Sequence, residues 1–345
     1  MHELESYNYG LPSHLIAQSA LHPRDHCKLL VLPADGKIEH HKFYEIVDYL
    51  QPGDVLVVNE TKVKPAKLIG KKESGGKVEV ILTRERKPLV FECRIKGSNI
   101  KVGSILRFSQ TQAEVLARDN DIFIIVFTQQ PAAPDLQLPT PPYVKQPIPE
   151  QDYQTVFARH AGSLAAPTAG LHFTSGLLKR VRQKGVEIAK IRLDISYETF
   201  LPVRDLATHA TGKEYFELDE KNAEKINRAQ RIIAVGTTVV KCLESCEWKK
   251  GKNGKQKEVV PTTGYSQLFI RPGYRFKAPI AALITNFHFP KSSLLLLTCA
   301  FGGRERILKA YAEAIKNNYR FYSLGEGMII FKSLETAGCP SGLPP

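Results

Sequence analysis

Arg231-Ile232-Ile233-Ala234-Val235-Gly236-Thr237-Thr238-Val239-Val240 is the stretch whose reading decides the fold. Five residues dominated by apolar, β-branched side chains read as a strand buried on both faces, as in the interior of a parallel sheet. Gly236 ends it, and Thr237-Thr238 turn the chain into a helix over Val239 to Glu244. Upstream, Asp219 can cap a helix from Glu220 to Gln230. Before that, Ser175 can cap a helix carrying Leu177, Leu178 and Val181 that stops at Gly185 and leads into a strand over Val186 to Leu193. Downstream, Ser266 to Ile270 and Ala281 to Thr285 read as strands. Ile307, Leu308, Tyr311, Ala314 and Ile315 share one helical face. Strand and helix alternate, so the class is α/β.

The N-terminal part belongs to the same class. Pro12 to Gln18 and Tyr44 to Leu50 read as short helices. Gly53-Asp54-Val55-Leu56-Val57-Val58 reads as a turn feeding an apolar strand that Asn59-Glu60-Thr61 ends. From Val63 to about Thr128 the texture changes to short β-segments: Lys77 to Leu82, Val90 to Ile95, and the hairpin Ala113 to Ala117 with Ile122 to Phe127. Several short strands in so few residues suggest a small barrel. Seven prolines between Pro131 and Pro149 give a stiff extended linker. The expected organisation is therefore a split α/β body, residues 1–61 and 150–345, with an inserted small all-β barrel at 62–130 and a Pro-rich linker at 131–149.

The chain has 345 residues, 43% of them hydrophobic, enough to bury cores in two domains. No apolar run approaches the 18 or more residues of a membrane span, and Met1-His2-Glu3-Leu4-Glu5 lacks the basic start of a secretory signal. The expected location is cytoplasmic and the six cysteines are expected to be reduced thiols. Cys242 and Cys246 stand four apart with no second Cys or His pair, so a zinc site is not indicated. A net charge of +13 favours a polyanionic partner such as nucleic acid. Five lysines between Glu247 and Glu258 fall on a Gly- and Asn-containing loop, readable as a phosphate contact or as a solvated hairpin.

Three polar turns at strand ends are the places for chemistry. Ala165-Ala166-Pro167-Thr168-Ala169-Gly170-Leu171-His172-Phe173 combines a hydroxyl, a glycine and an imidazole. Gly236-Thr237-Thr238 opens a helix whose free N–H groups and dipole could hold a carboxylate or phosphate, although such a turn is also a common tight connection. Thr285-Asn286-Phe287-His288-Phe289-Pro290 joins a strand to the helix start Ser292-Ser293. No Gly-x-Gly-x-x-Gly follows a strand and no Gly-Lys-Ser/Thr loop is present, so dinucleotide binding and ATP hydrolysis are unsupported. No spacing suits a metal.

Taken in order, the segments resemble one family. They include Leu21-His22-Pro23-Arg24-Asp25, Gly53 to Val63, Ser74 to Val80, Leu138-Pro139-Thr140-Pro141-Pro142-Tyr143 and Tyr153 to Ala158. Ala165 to Phe173, Ile233 to Val240, Leu268 to Tyr274, Leu283 to Leu297 and Tyr319-Arg320-Phe321-Tyr322-Ser323 complete the set. This pattern is similar to that of the S-adenosylmethionine:tRNA ribosyltransferase-isomerases and covers about residues 5–332. The resemblance implies transfer and isomerisation of the ribosyl part of S-adenosylmethionine onto 7-aminomethyl-7-deazaguanine at the tRNA wobble position. Epoxyqueuosine-tRNA forms, and adenine and methionine leave. It also implies a monomer, no metal and no resident cofactor, because S-adenosylmethionine is consumed. His172 and His288 are then the candidates for proton transfer. Thr168, Gly170 and Asn286 would position the ligand, and Gly236, Thr237 and Thr238 would hold the methionine carboxylate or a phosphate. Arg271 and Arg320 would contact the RNA backbone.

The chain departs from the family pattern at three places, one of them Asn59-Glu60-Thr61-Lys62 where the family has Asn-Asn-Thr-Arg. Where the family has His-Val-Gly-x-Gly-Thr-Phe-x-Pro-Val, it has Leu193-Asp194-Ile195-Ser196-Tyr197-Glu198-Thr199-Phe200-Leu201-Pro202-Val203. Where the family has Met-His-x-Glu-Tyr-Tyr, it has Thr211-Gly212-Lys213-Glu214-Tyr215-Phe216. Two histidines and two glycines are gone, and Asp194 and Glu198 are new carboxylates. A divergent paralogue acting on another nucleoside or amine, and a non-catalytic RNA-binding protein, are the alternative expectations.

Overall fold

A computed structural model describes residues 2–35, 37–209, 211–251 and 257–332. Most of the lysine-rich loop of the 247–258 stretch, residues 252–256, lies outside the described residues. The chain divides into two compact units. One comprises Met1–Lys62, Pro141–His160 and Ala166–Pro345, and the other comprises Val63–Thr140 and Ala161–Ala165. Of the Pro-rich stretch, residues up to Thr140 belong with the second unit and the rest with the first.

In chain order the strands are β1 (Lys28–Leu32), β2 (Glu39–Lys42), β3 (Asp54–Asn59) and β4 (Thr61–Val63). The next are β5 (Lys67–Lys72), β6 (Lys77–Lys87), β7 (Val90–Lys96), β8 (Ile105–Arg107), β9 (Gln112–Asp119) and β10 (Ile122–Phe127). After β11 (His160–Ser163) come β12 (Glu187–Leu193), β13 (Glu214–Leu218), β14 (Arg231–Val235), β15 (Trp248–Lys250) and β16 (Lys257–Val259). The last three are β17 (Thr262–Ser266), β18 (Ile280–Asn286) and β19 (Gly327–Phe331). Helices α1 (His2–Glu5), α2 (Ser175–Gln183), α3 (Glu220–Arg228), α4 (Thr237–Ser245), α5 (Ser293–Gly302) and α6 (Arg304–Lys316) connect them.

The larger unit is built on a nine-stranded sheet in the order β17-β13-β12-β3-β14-β18-β19-β1-β2. Its centre, β12-β3-β14-β18, is parallel, and β18 is answered on its outer side by the antiparallel β19. The central strands are apolar on both faces: every residue of β3 is buried, and so are Ile232 to Val235 of β14. That is the signature of a parallel sheet covered on two sides. Asp54 and Arg231 join the first residues of β3 and β14 through paired bonds of 2.6 and 2.8 Å. At the other end of β3, Asn59 exchanges bonds with both backbone groups of Leu193 and so holds β12 in register.

The second unit is a closed antiparallel barrel of six strands, β10-β7-β6-β5-β8-β9. Alternate residues point inward, with Val78, Ala113 and Val115, and Phe123, Ile125 and Phe127 buried while their neighbours are exposed or half-buried. Closure leaves no free strand edge. The fold is thus α/β with a small all-β barrel.

Local outcomes differ from the sequence expectations in instructive ways. Pro12 to Gln18 contains only a single 3-10 turn at Ser13–Leu15, and Tyr44 to Leu50 is a 3-10 helix at Phe43–Tyr49. Both are too short to propagate as α-helix. The cap of α2 is Thr174, not Ser175, because it is the Thr174 hydroxyl that accepts from the Leu177 N–H at 3.0 Å. The strand expected at Ser266 to Ile270 lies earlier, at Thr262–Ser266, where it pairs with β13.

Candidate active site

The carboxyl ends of β14 and β18 and the starts of β19 and β1 meet at one edge of the sheet, since Asn286 faces Gly327 and Gly327 faces Leu29. Crevices beyond strand carboxyl ends are where α/β sheets bind ligands. A cavity of about 380 Å³ opens there. Thr168, Asn286 and His288 line it, together with Tyr143, Phe289, Tyr322 and the segment Thr199 to Pro202. Its aromatic wall is ordered: Phe289 and Tyr322 stack with ring centres 3.6 Å apart, and Tyr143 stands 4.8 and 5.0 Å from the two. Tyr322 adopts φ +73°, a left-handed conformation that costs a bulky residue energy and tends to persist at binding sites.

Behind the wall lies a buried polar chain. The Asn286 side-chain amide donates to the Tyr322 carbonyl at 3.1 Å and to Nε2 of His172 at 3.1 Å. His172 Nδ1 stands 3.2 Å from the Cys27 sulfur. These contacts fix the protonation pattern. Only an N–H can face the Tyr322 carbonyl, so the amide nitrogen is on that side. Nε2 of His172 is then an acceptor, and Nδ1 carries the ring proton toward sulfur. Burial, aided by the nearby Arg320 and Arg24 charges, lowers His172 to about 3 and keeps it neutral. Burial also pushes the Cys27 thiol up, so it stays protonated. Asn286 is 1% exposed, yet its Oδ1 has no hydrogen-bond partner among the described residues.

His288 is placed differently. Its Nε2 meets the Thr285 hydroxyl at 2.7 Å, its N–H donates to Tyr311 at 2.9 Å, and its carbonyl accepts from Tyr9. Nδ1 makes no hydrogen bond among the described residues. Burial alone lowers this ring to about 3 as well.

The turn at 236–238 lies beside the same cluster. Gly236 takes φ +93°, which a side chain would resist, and donates its N–H to Ile284 at 2.7 Å. A methyl group built on Gly236 would touch Ala169, next to Thr168. Thr237 is buried, and the Thr238 hydroxyl is buried without a partner among the described residues. Gly170 does not line the cavity; it packs against Phe157 and Thr155, too closely for any side chain. The three polar turns therefore come together: Thr168 and 286–288 line the cavity, His172 bonds Asn286, and Gly236 abuts Ala169.

The two arginines lie apart from the cavity lining. Arg271 is exposed and donates to the Leu206 carbonyl at 3.0 Å. Arg320 pairs with Glu326 at 2.8 Å and donates to the Ser19 carbonyl at 3.1 Å. Its remaining nitrogen is buried, without a partner among the described residues.

The departures from the family pattern also have definite places. Asp194 is half-buried, accepting from Thr61 at 2.7 Å and from Arg192 at 2.7 and 3.1 Å. Beside the altered residues, Glu214, which matches the glutamate of the family pattern, is buried and pairs with Lys241 at 2.5 Å while accepting from the Ser196 N–H at 3.0 Å and the Thr199 hydroxyl at 3.4 Å. It thereby holds the short turn Tyr197–Phe200, the start of the segment that borders the cavity. Cys27, Tyr143 and Phe200 were not among the expected site residues. Tyr143 and Tyr322 stood in motif segments, but nothing in their local pattern announced a shared wall.

The sequence matches the family described as "Queuosine biosynthesis protein" over residues 4–330. The chain belongs to the queuosine biosynthesis protein family. Relatives named S-adenosylmethionine:tRNA ribosyltransferase-isomerase are 43% identical in Desulforamulus reducens, covering 95% of this chain and 99% of the relative. The one from Thermus thermophilus is also 43% identical, covering 96% and 100%. A crystal structure of S-adenosylmethionine tRNA ribosyltransferase from Thermotoga maritima is similar with a TM-score of 0.55 at 32% identity. It covers 94% of this chain and 100% of that one. Family membership therefore extends over both units of the chain. Among the described residues no helix is long and apolar enough to cross a membrane. None of their His, Cys, Asp and Glu side chains form a group of three that could hold a metal ion.

Proposed function

We propose that this chain transfers and isomerises the ribosyl moiety of S-adenosylmethionine onto 7-aminomethyl-7-deazaguanine at the wobble position of tRNA. The products are epoxyqueuosine-tRNA, adenine and methionine. S-adenosylmethionine is consumed as a substrate, with no metal or resident cofactor, and the enzyme works as a cytoplasmic monomer. The observation that carries the reading is the cavity of about 380 Å³ in which Thr168, Asn286 and His288 meet an aromatic wall. In volume and lining it suits a small ligand with a flat ring, laid against the aromatic side chains and held by a few polar groups.

The chemistry sets the roles. A sulfonium acidifies the adjoining ribosyl carbon, a base must take that proton, and the departing adenine must receive one. His288 is the better placed of the two histidines, because Nδ1 is uncommitted while both nitrogens of His172 are engaged. The Thr285 hydroxyl can donate or accept, so Nδ1 can hold a proton or receive one. His172 orients Asn286, and Thr168 contacts the ligand from the opposite turn. Gly236 to Thr238, at the start of α4, would attract the methionine carboxylate or a phosphate. Arg271 is open to an RNA phosphate. Arg320, tied to Glu326, contributes its charge from within.

A second reading is favoured by one observation: the altered residues Ser196 and Glu198 lie directly before Thr199 to Pro202, which keep the family pattern and form part of the cavity wall. A paralogue with the same donor and a different acceptor would change there. One assay separates them. Ribosyl-labelled S-adenosylmethionine is incubated with the chain and with tRNA carrying the deazaguanine. Label in tRNA supports the first reading, adenine release without label the second, and tRNA binding with no adenine release leaves only an RNA-binding role.

A further inference from the structure

The amide of Asn286 has a single chemical use left. Both of its hydrogens are committed, one to the Tyr322 carbonyl and one to His172, and the oxygen is buried with nothing to accept from. A buried carbonyl oxygen without a donor destabilises the unliganded fold, and sites that keep such a group regain that stability when a ligand arrives. Asn286 borders the cavity. The rings of Phe289, Tyr322 and Tyr143 stand on the same wall, two of them stacked in parallel. Resting on the reading above, we infer that Asn286 is the recognition group for a flat nitrogen heterocycle, which lies against this aromatic wall and donates an N–H to Asn286 Oδ1.

The relay behind the amide makes the reading one-way. An isolated asparagine can rotate and offer either end, so it accepts donors and acceptors alike. Here the Tyr322 carbonyl excludes the rotated form, and His172, with its proton on the Cys27 side, needs an N–H facing it. Cys27 and His172 are thus positioning residues whose effect is to present oxygen and never nitrogen. A ring whose facing edge carries only acceptors would leave two lone-pair groups opposed, a mismatch that discriminates more strongly than a missing contact. Two substrates of the proposed reaction carry such rings: the adenine of the sulfonium nucleoside, through its 6-amino group, and the deazaguanine of the RNA, through its ring N–H and 2-amino group.

Calorimetry on the full chain separates the sources. S-adenosylhomocysteine is titrated beside its 6-deamino analogue, which keeps the ring and the volume but loses the amine. Free 7-aminomethyl-7-deazaguanine is titrated beside its 2-deamino analogue. The native protein should favour one amino-bearing ligand over its partner by tenfold or more, and Asn286→Ala should reduce that ratio to within twofold. Collapse in the first pair assigns the site to the adenine, and collapse in the second to the RNA base. His172→Gln, which removes one of the two groups that hold the amide and leaves the Tyr322 carbonyl in place, should lower the same ratio by less. Should both pairs bind the native protein with ratios near one, the inference is overturned while the enzymatic reading stands. No binding of either parent ligand would remove both.

Discussion

The barrel and the carboxyl edge of the large sheet are both buried, but with opposite contents. Inside the barrel lie Val80, Cys93, Leu106, Val115 and Ile125, each at or near zero exposure, and none of these side chains needs a hydrogen bond. At the sheet edge Asn59, His172, Thr237, Thr285, Asn286 and His288 are buried almost as deeply. Apolar burial contributes stability in proportion to area and tolerates volume-conserving exchange. Buried polar groups contribute only when every partner is present, and an unpaired one is a cost that binding can offset. The barrel is thus expected to set how well the chain folds, and the edge to set what the folded chain does.

That contrast can be broken by exchange of single residues. The largest effect is expected at His288→Gln, which keeps a polar contact with Thr285 but cannot transfer protons. Ribosyl transfer should fall about 10²- to 10⁴-fold, the usual contribution of a general acid or base, with thermal midpoint little changed. Full turnover would move the chemistry elsewhere. Leu106→Ala in the barrel should act in the reverse sense. It should lower unfolding free energy by about 2–5 kcal/mol, as for other buried leucines, with unchanged turnover per folded molecule. A loss of turnover at temperatures where the variant is still folded would show that the two regions are not separable.

Acid sharpens the same distinction. His172 and His288 are held near 3, well below the ordinary value of 6.5, so they are neutral in the folded chain and bind protons on unfolding. The contribution is present above pH 6.5 and is lost as pH falls toward 3, at up to about 1.4 kcal/mol per pH unit for each ring. Denaturant midpoints measured from pH 7 to pH 4 should decline, and His288→Gln should make the decline shallower. Neither ring should produce an inflection near 6.5 in the rate of transfer. The smallest expected effect is at the exposed Arg271. Replacement by Ala should weaken tRNA binding by a few-fold and reduce the salt dependence by about one phosphate contact, with transfer at saturating tRNA unchanged.

Strands of the large sheet were legible because being covered on two sides demands continuous apolar runs, and Ile232 to Val235 and Leu283-Ile284 are such runs. Four of the barrel strands were legible from alternation. Lys67–Lys72 and Ile105–Arg107 were not, since the first buries only Leu68 among lysines and the second is three residues long. In the site, each polar turn could be found as a strand end. Their meeting could not, because His172 and Asn286 are 114 residues apart and Tyr143 and Ser323 are 180 apart. Tyr143 was hidden further by its prolines, which mark a stiff path without saying that one ring on it faces inward. The Asn286 orientation needed the Tyr322 carbonyl, a backbone group that no sequence pattern displays.

The position of β19 has a consequence for the order in which the molecule can be completed. This strand lies between β18 and β1, and its first residue faces both Asn286 and Leu29. A polypeptide emerging from the ribosome can form the barrel as soon as its strands are out, but β1 has no parallel neighbour until residues 327–331 have followed. Completion of this edge of the sheet, with Asn286 and Leu29 on either side of Gly327, therefore waits for residues 327–331, however early the barrel has closed.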